Sequence, residues 1–262
     1  MFPRLIGGGN FFLPTYGALV ACGFLAALWV TLRLAARRGV NQDQVANLAV
    51  YVALAGLAGA KLTMFLFDWD YYSANPGELI SFSTLKAAGV YQGGVALAFL
   101  AAFYFIRRYG LRFPSIADLF APGLALGHAI GRLGCFAAGC CYGIECRRPW
   151  AVTFTHPDAY RISGTPLGVP LHPTQLYEFA AELAIFAFLY LRKPSPARPG
   201  RIMGWYLLLY SGARILVELL RHHDQPPPLG LPFSLTQWIA LGMGSAGIWL
   251  LRRRSVPTGQ TA

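Results

Sequence analysis

Apolar residues dominate seven stretches of the chain, separated by shorter polar segments. The stretches cover about residues 15–36, 45–67, 88–107, 115–136, 174–191, 202–220 and 235–251. A helix of about 20 apolar residues crosses a hydrocarbon core about 30 Å thick and satisfies its own backbone polar groups there. The pattern therefore predicts an all-α integral membrane protein with seven transmembrane helices. Pro122 and several glycines interrupt the fourth stretch, which membrane helices tolerate.

The composition supports this fold class. Of the 262 residues, 55% are apolar and 13% are charged, and the mean hydropathy is +0.46. Soluble domains carry about 25% charged residues, so a soluble, disordered or collagen-like protein is excluded. No second soluble domain or internal repeat is evident, and we expect one transmembrane domain over residues 1–262.

The net charge of +11 would suggest a nucleic-acid partner if the basic residues were clustered for that purpose. Instead, 13 of the 22 Lys and Arg residues follow the first, third, fifth and seventh stretches, and six lie on the opposite side. The positive-inside rule then places the N-terminus outside and the C-terminus in the cytoplasm. We therefore attribute the charge to topology and contact with anionic membrane lipids, and expect no nucleic-acid partner.

The longest connection, about residues 137–173, follows the fourth stretch on the predicted outer side. It contains five prolines, and we expect it to hold a small strand or a re-entrant piece. Connections of this length are usually functional.

Polar residues recur inside the apolar stretches, all in the outer half by this topology. An ionisable side chain there costs about 2.5–3.5 kcal/mol on insertion scales, so it indicates function by default. The set comprises Tyr16, Lys61, Gln92 with Gly93 and Gly94, His128 and Arg132, Tyr177 and Glu178, and Arg214 with Glu218.

The sixth stretch has the clearest pattern. Tyr210, Arg214, Glu218 and Arg221 fall within an arc of about 80° on a helix. Arg214 and Glu218 form either an ion pair that only fixes helix packing or, together with Arg132, part of a site for a phosphate or another anion. His128 lies four residues before Arg132, on the same helix face; it is either a packing residue or a catalytic one.

Four of the five cysteines follow the fourth stretch, as Cys135-x4-Cys140-Cys141-x4-Cys146. Zinc sites favour C-x2-C pairs, which this spacing lacks, so no metal site is expected. The outer side of a bacterial inner membrane is oxidising, and one or two disulfides are the favoured interpretation. A nucleophilic Cys135, activated by Arg132, is the alternative.

Several motifs together resemble the bacterial prolipoprotein diacylglyceryl transferases. They are Tyr16-Gly17, Gly93-Gly94, Gly131-Arg132-x-Gly134-x-Phe136 with Gly143, His172-Pro-Thr-Gln-Leu-Tyr-Glu178, Tyr210-x3-Arg214-x3-Glu218-x2-Arg221-x2-Asp224, and Gln237. The resemblance covers most of the chain. It implies a seven-span, multi-pass transferase of the bacterial inner (cytoplasmic) membrane, with a periplasmic N-terminus, a cytoplasmic C-terminus and the site toward the periplasmic half.

The resemblance also implies the reaction and the partners. Such enzymes move diacylglyceryl from phosphatidylglycerol to the lipobox cysteine thiol of a preprolipoprotein and need no cofactor or metal. Here Gln92 replaces the usual His, and Cys135, Ala138 and Cys140 replace Asn, Asn and Glu. A paralogue with a different acceptor is therefore one alternative, and a transporter or thiol-redox membrane protein is another.

Within this hypothesis the residues take two kinds of role. His128, Arg132, Arg214 and Glu218 are the predicted catalytic residues: the guanidiniums hold the phosphate, Glu218 orients Arg214, and His128 takes the thiol proton, with His172 as the second candidate. The predicted substrate-binding residues are Tyr16, Gln92, Gly93, Gly94, Cys135, His172, Tyr177, Glu178, Tyr210 and Arg221. Gly93 and Gly94 are expected to let the backbone approach the lipid head group.

Overall fold

The structure is a computed structural model, and it describes residues 4–8, 11–81, 84, 89–192, 197–222 and 233–253. Asp224, the last residue of the sixth-stretch motif, lies outside the described residues.

Each of the seven apolar stretches is a helix in the structure, with ends within a few residues of those predicted. Among the described residues, two short helices and two short strands lie between them, and two further strands precede the first helix. The helices are α1 (Thr15–Arg37), α2 (Gln42–Phe67), α3 (Trp69–Ala74), α4 (Tyr91–Arg108), α5 (Phe113–Ala138), α6 (Pro157–Ser163), α7 (Thr174–Leu191), α8 (Arg201–Glu218) and α9 (Leu235–Arg252), with a 3-10 turn at Pro76–Ile80.

The strands form two small antiparallel pairs. β1 (Arg4–Gly8) pairs with β2 (Phe11–Pro14) before the first helix. β3 (Val152–Thr153) pairs with β4 (Pro170–Leu171) inside the long connection, and this confirms the small strand expected there.

Three helices, α1, α2 and α5, are long and apolar enough to cross a membrane by length and composition. Many of their large apolar side chains are exposed, as lipid contact requires: Leu25 and Trp29 on α1, and Leu54, Leu57 and Leu66 on α2, are more than half exposed. The all-helical membrane architecture is thus confirmed, whereas the seven-span topology stays a prediction.

The described chain divides into two compact units. One comprises residues 1–33 and 114–262, and the other comprises residues 34–113.

In the first unit, α5, α7 and α8 share a hydrophobic core. Ala121 and Ala125 of α5 pack with Leu189 of α7 and with Ile202 and Tyr206 of α8. The functional residues predicted on α5 and α8 follow the core residues along the chain, and those on α7 precede them. The core therefore fixes the three helices that present them.

A buried aspartate positions the start of α8 against α5. The Asp118 carboxylate accepts hydrogen bonds from the backbone N–H groups of Gly200 and Met203, both at 2.8 Å. These N–H groups lie at the helix N-terminus, where a carboxylate is stabilised by the helix dipole. Asp118 is 2% exposed and sets the depth of α8 relative to α5.

In the second unit, α2 and α4 pack through glycines. A side chain at Gly93 would overlap Thr63, and one at Gly94 would come within 2.9 Å of the Gly56 carbonyl oxygen. Both glycines therefore face α2. The expected approach of this backbone to a lipid head group stays a prediction.

Candidate active site

Three arginines converge on one buried glutamate. Glu178, on α7, forms ion pairs with Arg132 of α5 and Arg214 of α8, and with the Arg221 Nη1 at 3.4 Å. Arg214 also places its Nη2 2.7 Å from Glu218 Oε2. Arg214, Glu178 and Glu218 have side chains that are at most 7% exposed.

Arg132 has a partner on its own helix. Its Nε donates to Nε2 of His128 at 3.1 Å, one turn earlier. The other ring nitrogen of His128 lies 3.1 Å from Oε1 of Glu182, whose side chain is 3% exposed. This pattern assigns the proton of a neutral His128 to Nδ1, with Glu182 orienting the ring from behind.

A serine beyond α8 completes the network at Glu218. Ser234 Oγ donates to Glu218 Oε1 at 2.9 Å. Ser234 is the N-cap of α9, and Gln237 accepts from its backbone N–H in a reciprocal capping box. The closing Gln of the resemblance therefore positions Ser234 rather than meeting Glu218 itself.

Glycine at position 143 allows three backbone segments to meet beside Arg221. Gly143 donates its N–H to the carbonyl of His172 at 2.9 Å, and Ile144 donates to Leu220 at 2.9 Å. A Cβ at Gly143 would lie 2.5 Å from the Leu220 oxygen and 2.7 Å from His172 Cβ. Only glycine fits this junction, which joins the long connection to the start of α7 and to the end of α8.

The His-Pro-Thr-Gln motif holds the turn that follows α5. Thr174 Oγ1 donates to the Cys141 carbonyl and Gln175 Nε2 donates to the Cys140 carbonyl, both at 2.7 Å. Thr165 Oγ1 donates to the Gly139 carbonyl at 2.8 Å. All three donors are at most 1% exposed, so three successive carbonyls of the turn are satisfied by buried side chains.

This turn brings three cysteines together. The sulfur atoms of Cys135, Cys140 and Cys141 all lie within 4.8 Å of one another. All five cysteines of the chain are free thiols, so the expected disulfides are absent and the side-chain hydrogen bonds secure the turn instead. Arg132 Nη1 is 3.9 Å from Cys135 Sγ, which joins the thiols to the arginine network.

The thiols do not titrate alike. Hydrogen bonds with Cys135 and Cys140 lower the pKa of Cys141, and the guanidiniums of Arg221 and Arg132 act in the same direction. Hydrogen bonding to Cys135 and Cys141 raises the pKa of Cys140. The cluster therefore favours a thiolate at Cys141 with neighbouring thiols as donors.

The predicted tyrosines and His172 lie around these groups. The ring of Tyr210 is 5.5 Å from the ring of His128, between centroids. The Tyr177 hydroxyl is 3.0 Å from Nδ1 of His172, whose backbone is already held at the Gly143 junction. Tyr16 of α1 packs beside Gly134, where a Cβ would be 3.3 Å from its ring.

Gln92, Gly93 and Gly94 belong to the other unit, at the start of α4. Lys61, also there, donates its Nζ to the Thr84 carbonyl. Their part in substrate binding stays a prediction.

Comparison with known proteins identifies the family. The family model described as prolipoprotein diacylglyceryl transferase matches residues 3–253. The chain belongs to this family. A phosphatidylglycerol--prolipoprotein diacylglyceryl transferase of Clostridium tetani is 33% identical over 90% of this chain and 90% of its own length. The namesake protein of Methylobacillus flagellatus is 33% identical over 95% of both chains, and that of Bacillus mycoides is 34% identical over 90% of this chain and 85% of its own.

Sequence reasoning missed several residues of the prolipoprotein diacylglyceryl transferase site. Glu182 follows Glu178 by four residues on an apolar helix, so helical spacing could have revealed it. Thr174 and Gln175 lie inside the motif that runs from His172 to Glu178, but the sequence pattern gave them no role. Ser234 lies 16 residues from Glu218, and no local pattern joins them.

Proposed function

We propose that this protein transfers the diacylglyceryl group of phosphatidylglycerol to the lipobox cysteine thiol of preprolipoproteins, as the names of its relatives describe for them. One observation in the fold carries the proposal: Arg132, Arg214 and Arg221 converge on a single buried position. Guanidinium groups bind phosphate oxygens with paired hydrogen bonds, and a convergent set suits one lipid phosphate.

The guanidinium groups of this network are suited to such a ligand. Ion pairs with Glu178 and Glu218 hold them together at one place. Because the site is buried, these electrostatic interactions are stronger than they would be in water. Preorganised cations of this kind stabilise charge that develops on a leaving phosphate.

The reaction is a displacement at the glycerol sn-3 carbon. The acceptor sulfur forms a C–S bond, the C–O bond to phosphate breaks, and the electron pair of that bond goes to the phosphate oxygen. The thiol proton goes to His128 Nε2, which faces Arg132 while Glu182 holds the opposite nitrogen. Protonated His128 then offsets the second negative charge of the released glycerol phosphate.

Cys135 is not the nucleophile in this scheme. Attack by its own sulfur on the sn-3 carbon would leave a thioether on the protein, and a thioether is too stable to pass the lipid on to another thiol. Arg132 lies 3.9 Å from the Cys135 sulfur, so this thiol instead borders the phosphate position.

For the topology we propose seven spans in the inner membrane, with the N-terminus and the site on the periplasmic side. Four arginine–aromatic contacts support the orientation: Arg33 over Trp29, Arg107 over Phe103, Arg192 over Phe188 and Arg253 over Trp249, at 4.2–4.7 Å. Each lies at the end of a helix that the positive-inside rule brings to the cytoplasm. Such pairs suit an interface, where the ring meets lipid and the cation meets water.

The decisive experiment is to incubate the purified protein with phosphatidylglycerol and a lipobox peptide, and to weigh the peptide. A mass increase equal to one diacylglyceryl group supports the proposal, and the same peptide with Ser for Cys is the control. An unmodified Cys peptide, with a protein that still consumes phosphatidylglycerol, would favour the second candidate: a family member with another acceptor. Gln92, Cys135 and Cys140, at positions where the family usually has His, Asn and Glu, are the observation behind that candidate.

A further inference from the structure

The three clustered cysteines provide the ligands for a metal ion that would act on the acceptor. We propose that Cys135, Cys140 and Cys141 bind one Zn²⁺ ion as three thiolates, and that the acceptor thiol occupies the fourth coordination position. The inference rests on the proposed function, because the acceptor is the lipobox thiol of that reaction.

The geometry of the thiols fits zinc. A tetrahedral zinc ion with Zn–S bonds of about 2.3 Å places its sulfur ligands about 3.8 Å apart. The three sulfur atoms already lie within 4.8 Å of one another, so side-chain rotations that move a sulfur atom by about 1 Å close the site. The linear spacing of the cysteines did not predict this, because the turn after α5 folds Cys140 and Cys141 back toward Cys135.

The backbone of the turn is held in an unusual conformation. Cys141 has a φ of 65°, and it is the one non-glycine residue in the described part of the chain with a positive φ. Such strain persists where surrounding groups impose it, and it occurs preferentially at functional sites. Here Thr165, Gln175 and Thr174 impose it, each bonded to one carbonyl of the turn.

A disulfide accounts for the cluster less well. It would join two of the three sulfur atoms and leave the third thiol buried beside it, whereas a zinc ion uses all three. Gln175 and Thr174 bind the carbonyls of Cys140 and Cys141 separately and so hold the backbone of the turn, in which all three thiols are free.

The surroundings also suit this ion. Zinc with three thiolates carries one net negative charge, and the Arg132 guanidinium lies on this side of the cluster, 3.9 Å from Cys135 Sγ. The same guanidinium belongs to the network proposed to bind the lipid phosphate. A thiol bound at the zinc would therefore lie near the carbon that it must attack.

Three protein ligands with one open position are typical of catalytic zinc, and a thiol that coordinates zinc loses its proton. The acceptor thiol releases its proton to His128, binds the zinc as a thiolate and attacks the sn-3 carbon. Its C–S bond forms as the C–O bond breaks, and the electron pair leaves on the phosphate. The thioether is a weak zinc ligand and departs. No oxidant or reductant is involved.

Cobalt is the probe for the test, because Co²⁺ in a tetrahedral thiolate site has visible absorption bands. The full-length reduced protein in detergent is titrated with Co²⁺. We expect one equivalent to bind, Zn²⁺ to displace it, and Cys135→Ser, Cys140→Ser and Cys141→Ser each to weaken binding at least tenfold. Cys22→Ser and Cys146→Ser are the matched controls and should bind normally. Absent stoichiometric binding, or equal binding by all five variants, would overturn the site.

The second arm tests the open position. Adding a lipobox peptide to the Co²⁺-loaded protein should shift the absorption bands, while the same peptide with Ser for Cys should leave them unchanged. Identical spectra with both peptides would overturn the acceptor role. This readout does not depend on lipid transfer, so it separates the two proposals.

The third arm measures transfer after chelation. Removing zinc should lower transfer to the Cys peptide at least 100-fold, and Zn²⁺ should restore it. Full transfer by the metal-free protein would overturn the inference and leave the proposed function intact. Metal binding and a peptide-dependent spectral shift, without any transfer from phosphatidylglycerol, would support the site and refute the proposed function.

Discussion

Replacing Arg214 by lysine tests whether the guanidinium fork, rather than positive charge alone, supports transfer. Arg214 uses two nitrogen atoms on two carboxylates: Nη1 contacts Glu178, and Nη2 lies 2.7 Å from Glu218. A lysine ammonium keeps the charge but presents one compact donor group on a stem that cannot bridge both carboxylates in this planar geometry. The phosphate position would then lose one preorganised donor.

The magnitude follows from that loss. Removing one donor aimed at a developing negative charge costs about 100- to 1,000-fold in kcat, or about 2.7–4 kcal/mol of transition-state stabilisation. Because Arg214 is only 7% exposed, an imperfectly paired carboxylate also costs about 1–3 kcal/mol of folding free energy. We therefore expect the fall in kcat to exceed the fall in the fraction of folded protein, which is calculated from the midpoint of thermal unfolding.

The assay follows peptide mass with time in phosphatidylglycerol-containing detergent micelles, at saturating lipid and varied peptide. Arg201→Lys, in the first turn of the same helix, is the matched control and should keep its rate. Membrane insertion and the unfolding midpoint are measured for both variants. If Arg214→Lys turns over within threefold of the unsubstituted protein, then charge alone suffices and the proposed fork has no catalytic role.

Three further changes test the other parts of the site. His128→Ala should lower kcat by about 100-fold or more, since general bases contribute about 10²- to 10⁴-fold; a normal rate in the mass assay would reassign the proton. Gly143→Ala should reduce the yield of folded protein in membranes, because its Cβ would meet the Leu220 oxygen at 2.5 Å; normal yield and midpoint would contradict this. Ser234→Ala should lower the unfolding free energy by about 0.5–2 kcal/mol through loss of the helix cap, and kcat through release of Glu218, whereas Ser234→Thr should retain both.

The helices could be predicted from the sequence because hydropathy along the chain reports directly on burial in lipid. The predicted stretch 174–191 has the same first and last residue as α7 (Thr174–Leu191). The ends of the other predicted stretches differ from those of their helices by at most a few residues. The ionisable residues of the site were also visible, since a charge in an apolar helix is conspicuous whatever the fold. Arg132 and Arg214 were identified in this way.

The partners of those residues were not predictable, because they depend on how the helices are rotated against one another. Glu178 was placed among the substrate-binding residues, and its position between three arginines follows only from the packing of α5, α7 and α8. The same reason explains the glycine pair at 93 and 94. The sequence does not show that this pair packs closely against α2, and its approach to a lipid head group stays a prediction.

The cysteines illustrate the other limit of sequence reasoning. The oxidising outer side of the membrane favoured disulfides. The separation of the sulfur atoms is set instead by a left-handed residue and by side chains that lie 26 to 35 residues beyond the carbonyls they bind. Long-range hydrogen bonds of this kind leave no periodic signal.

Glu178 gives the arginine network an anion of its own. Before any lipid arrives, its carboxylate already neutralises part of the charge of Arg132 and Arg214, so three cations can stay together in a buried place. Under the proposed function, lipid phosphate must therefore compete with a resident carboxylate, and binding becomes an exchange of ion pairs. A free phosphate ion from water would gain little by such an exchange, whereas a phospholipid would also be held by its acyl chains in the bilayer. The built-in counter-ion would thus make the proposed site selective for anions that come from the membrane.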